Sequence, residues 1–593
     1  MQQLKRQQIP ILCLIFLPVL FMGICILKYS VNFPFSDQWP LAVMFEKIYA
    51  GNLSFSDLFA QFHESRKFFP RLIFIGLAYL TNWDVRYEML VIFLLTCVVS
   101  FNIYCLNRLT VRASLFTQLL LLAISNLLIF SPAQYENWLW GIQIVVYTPI
   151  ACLTGCLVIA QKKLSLRTKF IICFCLCTVS TFSYANGMLI WVLIFPALAI
   201  LASGKFEEVF TKNIWIIIGG LLGLAANLVV YFYDYQKPDK HPSFLSAIAH
   251  PVETVHYFFA FLGAPLGFEN LTVATIVGGL VFGFWLFLGW KFFWLVKTDF
   301  LLLHRLIGWL IIGIYGIISG AVTAVGRVGF GVEQSLAPRY TAFSLYLMVS
   351  LVYLLAIFWQ LASQKNVQTK LMKYTSYFLV SILIILHLKT TINAVERMSD
   401  RRVILLQSKT CMLVINVVPQ DECLVTKRSP EPLRQTANIL DKLGFLQPGL
   451  VKSKNIQDIT GETKSNLIYG YFDTVNKIDD QTYVANGWAI LPERNEVADG
   501  VILTYENTEG EDIIFKLINQ RMPRPSVKEY FDNSAYLDSG WQKSFTVEEI
   551  PQGKVKLKAW AFDTEAGKAF LLNQTQIVNG RSVVMERKRA PRL

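Results

Sequence analysis

The chain alternates between long apolar stretches and shorter polar ones. The longest apolar stretches carry almost no charge and run for roughly 16 to 23 residues, about the length of one helical bilayer crossing. Backbone groups in hydrocarbon must pair within their own segment, so these stretches are expected to be helices. The pattern predicts about eleven spans, near residues 10–29, 86–107, 113–131, 141–160, 168–184, 187–203, 214–233, 271–294, 306–325, 341–362 and 374–391.

Composition agrees with this pattern. Of the 593 residues, 54% are hydrophobic, and the mean hydropathy is +0.46. A water-soluble fold of this length cannot bury so much apolar surface, so the excess is expected to face lipid. The first apolar stretch follows Lys5 and Arg6, is too long for a signal-peptide core and has no small-residue cleavage site after it. We therefore expect an uncleaved signal anchor.

Charge predicts the orientation of the spans. By the positive-inside rule, basic loops after alternate spans lie in the cytoplasm, together with the N-terminus. The segment after the last span is then extracytoplasmic, most simply outside a bacterial inner membrane. The net charge of +13 follows from these loops and a basic tail, so no nucleic-acid partner is predicted. The basic loop residues are Arg108 and Arg112; Lys162, Lys163, Arg167 and Lys169; Lys205 and Lys212; Lys291, Lys297 and Arg305; Lys365, Lys370 and Lys373.

Two of the predicted outer loops are long. In the first, Trp39–Ile48 and Leu53–Phe62 are amphipathic, and Phe69–Leu80 is apolar but too short to cross. These patterns predict helices lying along the membrane surface. In the second, His250–Gly267 is apolar but interrupted by glycine and proline. It is expected to be a re-entrant or interfacial segment.

The pattern changes after the last span. Residues 393–464 are mixed and charged and are expected to be a connector, with a helix near Glu431–Leu443 and a disulfide between Cys411 and Cys423. The other nine cysteines fall in predicted spans and are expected to be packing residues. Residues 465–578 alternate with period two and predict an antiparallel β-sandwich, with strands at Thr482–Ile490, Gly500–Glu506, Asp512–Leu517, Gln542–Val547, Lys554–Asp563 and Ala569–Ile577.

The sequence thus predicts a polytopic α-helical membrane domain followed by an extracytoplasmic all-β sandwich. The predicted boundaries are 1–392 for the transmembrane domain, 393–464 for the connector, 465–578 for the sandwich and 579–593 for the basic tail. Trp488, Trp541 and Trp560 recur at strand positions, where either core packing or a platform for stacking sugars explains them.

Ionisable residues gather on the predicted outer side. Such groups are costly beside hydrocarbon unless they have a role. A carboxylate there can remove a proton from an acceptor hydroxyl, while arginines hold a leaving phosphate through paired hydrogen bonds. The candidate catalytic residues are Asp37, His63, Glu64 and Glu136, and the candidate phosphate-binding residues are Arg66, Arg71, Arg327 and Arg339.

Each candidate also has a simpler interpretation. Asp37 or His63 can be an ordinary polar loop residue, and each arginine can extend to lipid headgroups. Asp37, Glu64 and Glu136 carry the oxygen ligands that a divalent cation would take, and the sequence leaves open whether one is bound.

This arrangement resembles the GT-C superfamily of glycosyltransferases, which use polyprenyl-phosphate sugars and include aminoarabinose transferases and protein O-mannosyltransferases. Asp37 matches the acidic residue taken as the base, and Glu136 matches a second acidic position. His63–Arg71, which reads His-Glu-Ser-Arg-Lys-Phe-Phe-Pro-Arg, matches the basic, proline-containing element before the second span. The resemblance covers roughly residues 1–390.

The chain departs from the family pattern at two places. Gln38 follows Asp37 where many members have a second acidic residue, and Arg-Lys-Phe-Phe-Pro-Arg stands where many have Lys-Pro-Pro. These departures leave the donor sugar open.

The resemblance implies an inverting hexosyl or pentosyl transferase. It would move a sugar from a polyprenyl-phosphate carrier to a glycan, lipid or protein acceptor on the outer face, alongside other cell-envelope assembly proteins. Two other classes remain open. A transporter or flippase of lipid-linked sugars also needs many helices, although its charged groups usually lie near mid-membrane. A non-catalytic, membrane-anchored carbohydrate-binding component would instead use the β-sandwich.

Overall fold

The computed structural model describes residues 2–238, 242, 244–267, 269–364, 370–419 and 433–580. The chain divides into two compact units. The first, here called the membrane unit, comprises residues 1–30, 53–77 and 86–399, and the second, here called the β unit, comprises residues 31–52, 78–85 and 400–593.

Helices make up most of the described chain. Numbered in chain order, they are α1 (Gln2–Tyr29), α2 (Leu41–Tyr49), α3 (Phe55–Phe59), α4 (Phe68–Thr81), α5 (Arg86–Thr110), α6 (Leu115–Ile129), α7 (Tyr135–Trp138), α8 (Ile144–Gln161), α9 (Leu166–Thr181), α10 (Leu189–Leu201), α11 (Phe206–Thr211), α12 (Ile214–Phe232), α13 (Leu245–Ala249), α14 (Pro251–Gly263), α15 (Leu271–Thr298), α16 (Phe300–Arg327), α17 (Thr341–Gln364), α18 (Lys370–Leu413), α19 (Leu433–Lys442) and α20 (Pro525–Tyr530).

Within the described residues, eight helical segments are long and apolar enough to cross a membrane. Large apolar side chains such as Leu27, Leu222 and Val229 remain exposed on them, as expected for helices that face lipid. These features indicate a multi-pass membrane protein. The segments are Pro10–Tyr29, Arg86–Thr110, Leu115–Trp138, Gly141–Gln161, Ile214–Phe232, Leu271–Thr298, Phe300–Phe330 and Pro338–Ser363.

The other three predicted spans correspond to two shorter helices and to part of one much longer helix. Residues 168–184 and 187–203 correspond to α9 and α10, which have 16 and 13 residues. Residues 374–391 belong to α18, a helix of 44 residues that continues through the first part of the predicted connector. Neither glycine nor proline occurs between residues 370 and 413, so nothing in this stretch breaks the helix.

The interrupted segment of the second long loop forms α14. This helix has 13 residues, ends at Gly263 and packs against α15. A Cβ atom at Gly263 would lie 1.9 Å from the carbonyl oxygen of Ala274, and one at Gly278 would lie 1.8 Å from that of Phe259. The two helices therefore pack backbone against backbone, which only glycine permits at these positions.

This close packing predicts a stability difference between neighbouring glycines. Gly278→Ala is expected to lower the stability of the membrane unit by about 1–3 kcal/mol, because the methyl group must push α14 away from α15. Gly279→Ala is the matched control, since a Cβ there would meet no described atom within 4 Å. Thermal unfolding of the full chain in detergent measures both variants, and equal midpoints would contradict the packing argument.

The first long loop combines helices with a small hairpin. The stretches Trp39–Ile48 and Phe69–Leu80, predicted as helices, correspond to α2 and α4. The stretch Leu53–Phe62 contains only the short helix α3, capped by the Ser54 side chain, before the chain enters an antiparallel pair of strands. These strands are β1 (Gln61–Phe62) and β2 (Ser65–Arg66).

The β unit contains two antiparallel sheets that contribute to one hydrophobic core. One sheet pairs β3, β5 and β8 with β4, and the other has the order β10-β9-β6-β7 with β11 also paired to β9. Its buried core draws on both sheets, with Phe472, Phe545 and Leu557 among its members. The strands are β3 (Gly470–Lys477), β4 (Thr482–Leu491), β5 (Glu496–Val497), β6 (Gly500–Glu506), β7 (Asp512–Ile518), β8 (Gly540–Thr546), β9 (Lys554–Asp563), β10 (Lys568–Leu571) and β11 (Gln576–Asn579).

The six predicted strands all fall in this region. β6 and β9 have the predicted bounds, whereas the last predicted strand is divided into β10 and β11. The division occurs because Asn573 pairs across to the other sheet, where its N–H donates to Gly470 and its carbonyl accepts from Phe472. Trp488, Trp541 and Trp560 are only 9%, 3% and 3% exposed, which fits packing and not an open stacking platform.

Cysteine usage follows the predicted division between the spans and the connector. The nine cysteines in predicted spans are free thiols, whereas Cys411 is disulfide-bonded. Its predicted partner, Cys423, lies outside the described residues.

Candidate functional site

Glu64 lies at the turn of the β1–β2 hairpin. The turn residue His63 has a φ of 51°, a left-handed conformation typical of tight two-residue connections. The Glu64 carboxylate accepts a hydrogen bond from Nη2 of Arg327, the last residue of α16. The Tyr231 hydroxyl donates to the Glu64 carbonyl at 2.8 Å. The hairpin thus presents a carboxylate to the end of a membrane-length helix.

A second ion pair lies at the start of the next long helix. Arg339, in a short 3₁₀ turn just before α17, donates through Nη1 to Glu136 of α7 at 2.9 Å. The adjacent Asn137 side chain donates to the Arg339 carbonyl at 3.2 Å, which fixes the backbone as well. The Glu136 and Arg339 side chains are 12% and 24% exposed, so the pair is largely shielded from water.

Tyr184 connects the two pairs electrostatically. It lies in the connection between α9 and α10, within electrostatic range of Glu64, Arg327, Arg339 and Tyr340. Burial raises the pKa of Tyr184 above its usual value, Glu64 and Tyr340 raise it further, and the two arginines oppose the change. The hydroxyl therefore stays protonated at neutral pH and can donate a hydrogen bond.

We call Glu64, Arg327, Glu136, Arg339 and Tyr184 the arginine cluster. Tyr340 and Tyr257 border it: the Arg339 guanidinium lies 4.9 Å from the centre of the Tyr340 ring, and Tyr257 lies within electrostatic range of both arginines. The arrangement combines two oriented guanidinium groups with phenolic hydroxyls in a largely shielded environment. Such groups suit an anionic oxygen ligand, which arginine can bind with two parallel hydrogen bonds.

Arg66 and Arg71 have a different environment. They are 6% and 7% exposed, and their guanidinium groups donate to backbone carbonyls. Arg66 donates to Phe59 at 2.8 Å and to the carbonyls of Tyr231 and Tyr233 at the end of α12. Arg71 donates through one nitrogen to the carbonyls of Leu58 and Ala60, at 2.7 and 2.6 Å.

These contacts explain how the hairpin is held in place. Arg66 follows Glu64 by two residues and ties the hairpin to α12, while Arg71 ties α4 back to the end of α3. The structure thus shows both arginines joining backbone segments. Their predicted phosphate contacts remain a prediction from the sequence.

Asp37 belongs to the β unit. It occupies the middle of a 3₁₀ turn, Ser36–Gln38, where the Ser36 hydroxyl donates to Asp37 Oδ1 at 3.3 Å. The Gln38 side chain accepts from the Phe35 N–H at 3.1 Å, and Trp39 is buried beside Phe33 with ring centres 5.6 Å apart. Asp37 is half-buried, and these contacts hold the backbone around it in place.

The structure shows what surrounds the candidate metal ligands. His63 is exposed beside the Phe62 ring, and Glu64 and Glu136 each pair with an arginine. Among the residues that the structure describes, no three histidine, cysteine, aspartate or glutamate side chains gather as a cation site would require. Nothing in these positions therefore supports a metal at the arginine cluster.

Sequence reasoning missed the tyrosines of this region. Tyr184 begins a closely packed turn, since a Cβ at Gly187 would lie 2.0 Å from the Ser180 carbonyl oxygen. A tyrosine near the end of an apolar segment is common at membrane interfaces, so its type alone gave no sign of a site.

Comparison with known proteins identifies no relative. No family model, no curated protein and no solved structure matches this chain.

Proposed function

We propose that this chain is an inverting membrane glycosyltransferase that moves a sugar from a polyprenyl-phosphate carrier to an acceptor on the outer face of the membrane. The observation that carries the proposal is the arginine cluster. In this cluster two arginines, each paired with a carboxylate, lie at or next to the ends of membrane-length helices and near the half-buried Tyr184. Both the activity and the predicted orientation of the chain are parts of this proposal.

The position of the arginines suits a lipid-linked phosphate. Arg327 is the last residue of α16, and Arg339 lies two residues before the start of α17. The ends of spanning helices lie near the boundary between hydrocarbon and headgroups, where a polyprenyl phosphate would place its charge. Exposed apolar side chains of the same unit can accommodate the polyprenyl tail.

The chemistry of the cluster suits a leaving phosphate. A guanidinium group binds phosphate through short, charge-assisted hydrogen bonds. Glu64 and Glu136 orient Arg327 and Arg339, and the arginines stabilise the charge that develops on phosphate as the glycosidic bond breaks. The protonated Tyr184 hydroxyl is a further donor in the same region. Asp37 is proposed as the base that removes the acceptor proton, on the grounds of the sequence resemblance alone.

The β unit has an accessory role in this proposal. We infer that its two sheets form the predicted β-sandwich and that it lies on the side of the membrane where the acceptor is glycosylated. The non-catalytic alternative would make this unit the only functional part of the chain. The arginine cluster has no evident purpose in that case, which favours the enzyme.

Carrier binding tests the proposal directly. Photo-crosslinking of the full chain in nanodiscs with a photoreactive undecaprenyl phosphate is expected to be saturable. Arg339→Gln is expected to weaken it at least about 10-fold, because a charge-assisted contact to phosphate is lost. Arg397→Gln is the matched control, since Arg397 forms an exposed ion pair with Glu269 elsewhere in the membrane unit.

The transfer reaction is tested separately. Nanodiscs carrying the wild-type chain, incubated with a panel of undecaprenyl-phosphate sugars and membrane extract, should release undecaprenyl phosphate from at least one member of the panel. Absence of carrier crosslinking, or equal crosslinking by Arg339→Gln and the control, would overturn the proposed site.

A further inference from the structure

A stripe of exposed apolar side chains runs along α15 toward its end. Its members follow one another at intervals of three or four residues, so they share one face of the helix. Leu288 and Phe292 lie on the other side of α15, where both are buried, and the Phe292 ring packs against Phe358 of α17. The exposed face is therefore the one that lipid can reach. The apolar stripe comprises Ile276, Leu280, Phe284, Phe287, Trp290 and Trp294.

Two lysines flank the end of the apolar stripe. The Lys291 ammonium group lies 4.6 Å from the centre of the Trp290 ring. The Lys297 ammonium group lies 4.3 Å from the centre of the Trp294 ring and 4.6 Å from that of Phe293. Each ammonium group is thus held over an aromatic face, and this contact orients the charge without neutralising it.

The protein supplies no carboxylate to these lysines. α15 contains no acidic residue. The next one along the chain, Asp299, caps α16, where its Oδ1 accepts from the Leu302 N–H at 3.3 Å. Within the part of the chain that the structure describes, neither Lys291 nor Lys297 forms an ion pair. Charges beside hydrocarbon are costly without a partner, so an anionic group of the membrane is expected to supply one.

The positions of the two lysines along α15 suit a lipid headgroup. The 28 residues of α15 extend over roughly 40 Å, which exceeds the ~30 Å of bilayer hydrocarbon. The end of the helix therefore reaches the headgroup region. Lys291 and Lys297 are about 9 Å apart along the helix axis, so they approach a headgroup from two depths. The apolar stripe continues from there along the acyl chains.

This end of the membrane unit is far from the arginine cluster. Only Asp299 separates α15 from α16, and Arg327 is the last residue of α16. The 28 residues of α16 extend over roughly 40 Å, so Lys297 and Arg327 lie at opposite ends of a membrane-length helix. A ligand of the lysines is therefore distinct from the carrier phosphate proposed for the arginine cluster.

We propose that the end of α15 binds an anionic glycerophospholipid, with Lys291 and Lys297 holding its phosphate and the apolar stripe contacting its acyl chains. A zwitterionic lipid fits less well, because its own ammonium group would lie beside the two lysines. A second copy of this chain also fits less well, since two facing stripes would bring four lysines together without a carboxylate. The site does not depend on the proposed transfer reaction.

The test uses the full chain in neutral detergent and native mass spectrometry, with phosphatidylglycerol and phosphatidylcholine of the same acyl chains. The wild type is expected to bind phosphatidylglycerol at least about 10-fold more tightly, because each lysine attracts an anionic headgroup. Lys291→Gln/Lys297→Gln should abolish this preference, whereas Lys291→Arg/Lys297→Arg should keep it because both charges remain. The matched control Lys162→Gln/Lys163→Gln removes two exposed lysines after α8 and should bind as the wild type does.

A competition experiment separates a lipid site from a site for free phosphate. Glycerol 3-phosphate carries the charge of the headgroup but has no acyl chains. At millimolar concentrations it should leave phosphatidylglycerol bound, because the apolar stripe supplies part of the contact. Displacement of the lipid by glycerol 3-phosphate would show a site for soluble phosphate and would overturn the proposal.

Three other results would also overturn it. One is equal binding of the two lipids by the wild type. Another is an unchanged preference in Lys291→Gln/Lys297→Gln. The last is an equal loss of preference in the control, which would show attraction to the net charge of the protein and not to this site. Thermal unfolding without added lipid verifies that each variant is folded.

Discussion

Asp37→Asn is expected to lower sugar transfer by at least about 100-fold while leaving carrier binding intact. The amide keeps the shape of the side chain and can still accept from the Ser36 hydroxyl, but it cannot take a proton from an acceptor. Release of undecaprenyl phosphate in the nanodisc assay measures the effect. Photo-crosslinking of the same preparation measures whether the carrier still binds.

Two further variants separate chemistry from structure. Asp37→Glu retains a carboxylate and should recover part of the activity lost in Asp37→Asn. Asp234→Asn makes the same isosteric change at an exposed carboxylate with a φ of 50°, which asparagine tolerates, and should transfer normally. Normal transfer by Asp37→Asn would remove Asp37 from the mechanism.

The second large effect is expected at a buried ionic network in the β unit. Arg494 donates to Asp499 and Asp563 at 2.8 and 2.7 Å and also contacts Glu496. The Asp499 side chain is fully buried and accepts from both the N–H and the hydroxyl of Thr564, at 3.0 and 2.8 Å. Burial alone would lower the pKa of Arg494, but its carboxylate partners outweigh burial and raise that pKa above its usual value.

Asp499→Asn should therefore destabilise the β unit by about 3–5 kcal/mol, since it leaves buried positive charge with less compensation. Hydrogen exchange of the full chain should show amide protection in β6 and β9 falling about 100-fold or more. Asp480→Asn is the matched control. Asp480 forms an ion pair with Lys477, and its own side chain is fully exposed to solvent. Equal protection in the two variants would show that the network contributes little to stability.

Much of the architecture follows from local sequence pattern. Eight of the predicted spans coincide with membrane-length helices, and β6 and β9 begin and end where alternation of apolar and polar residues predicts. The apolar pattern predicted only residues 374–391 of α18 and so underestimated the length of this helix. That length nevertheless has a local cause. The absence of glycine and proline allows the helix to continue once the apolar stretch has ended.

The candidate site was only partly predictable. Asp37, Glu64, Glu136, Arg327 and Arg339 could be chosen from their positions, but their pairing could not. Glu64 and Arg327 are 263 residues apart in sequence, and Glu136 and Arg339 are 203 apart. No local pattern predicts which carboxylate meets which arginine over such separations.

By itself, the sequence determined which segments form long apolar helices and which form sheets, because hydrophobic period and helix-breaking residues act over a few neighbouring positions. Only the tertiary structure decided that Arg66 and Arg71 donate to backbone carbonyls, that Arg327 and Arg339 pair with carboxylates, and that the three tryptophans are buried. These outcomes depend on which distant segments pack together, and the charge or size of a residue does not specify its partner.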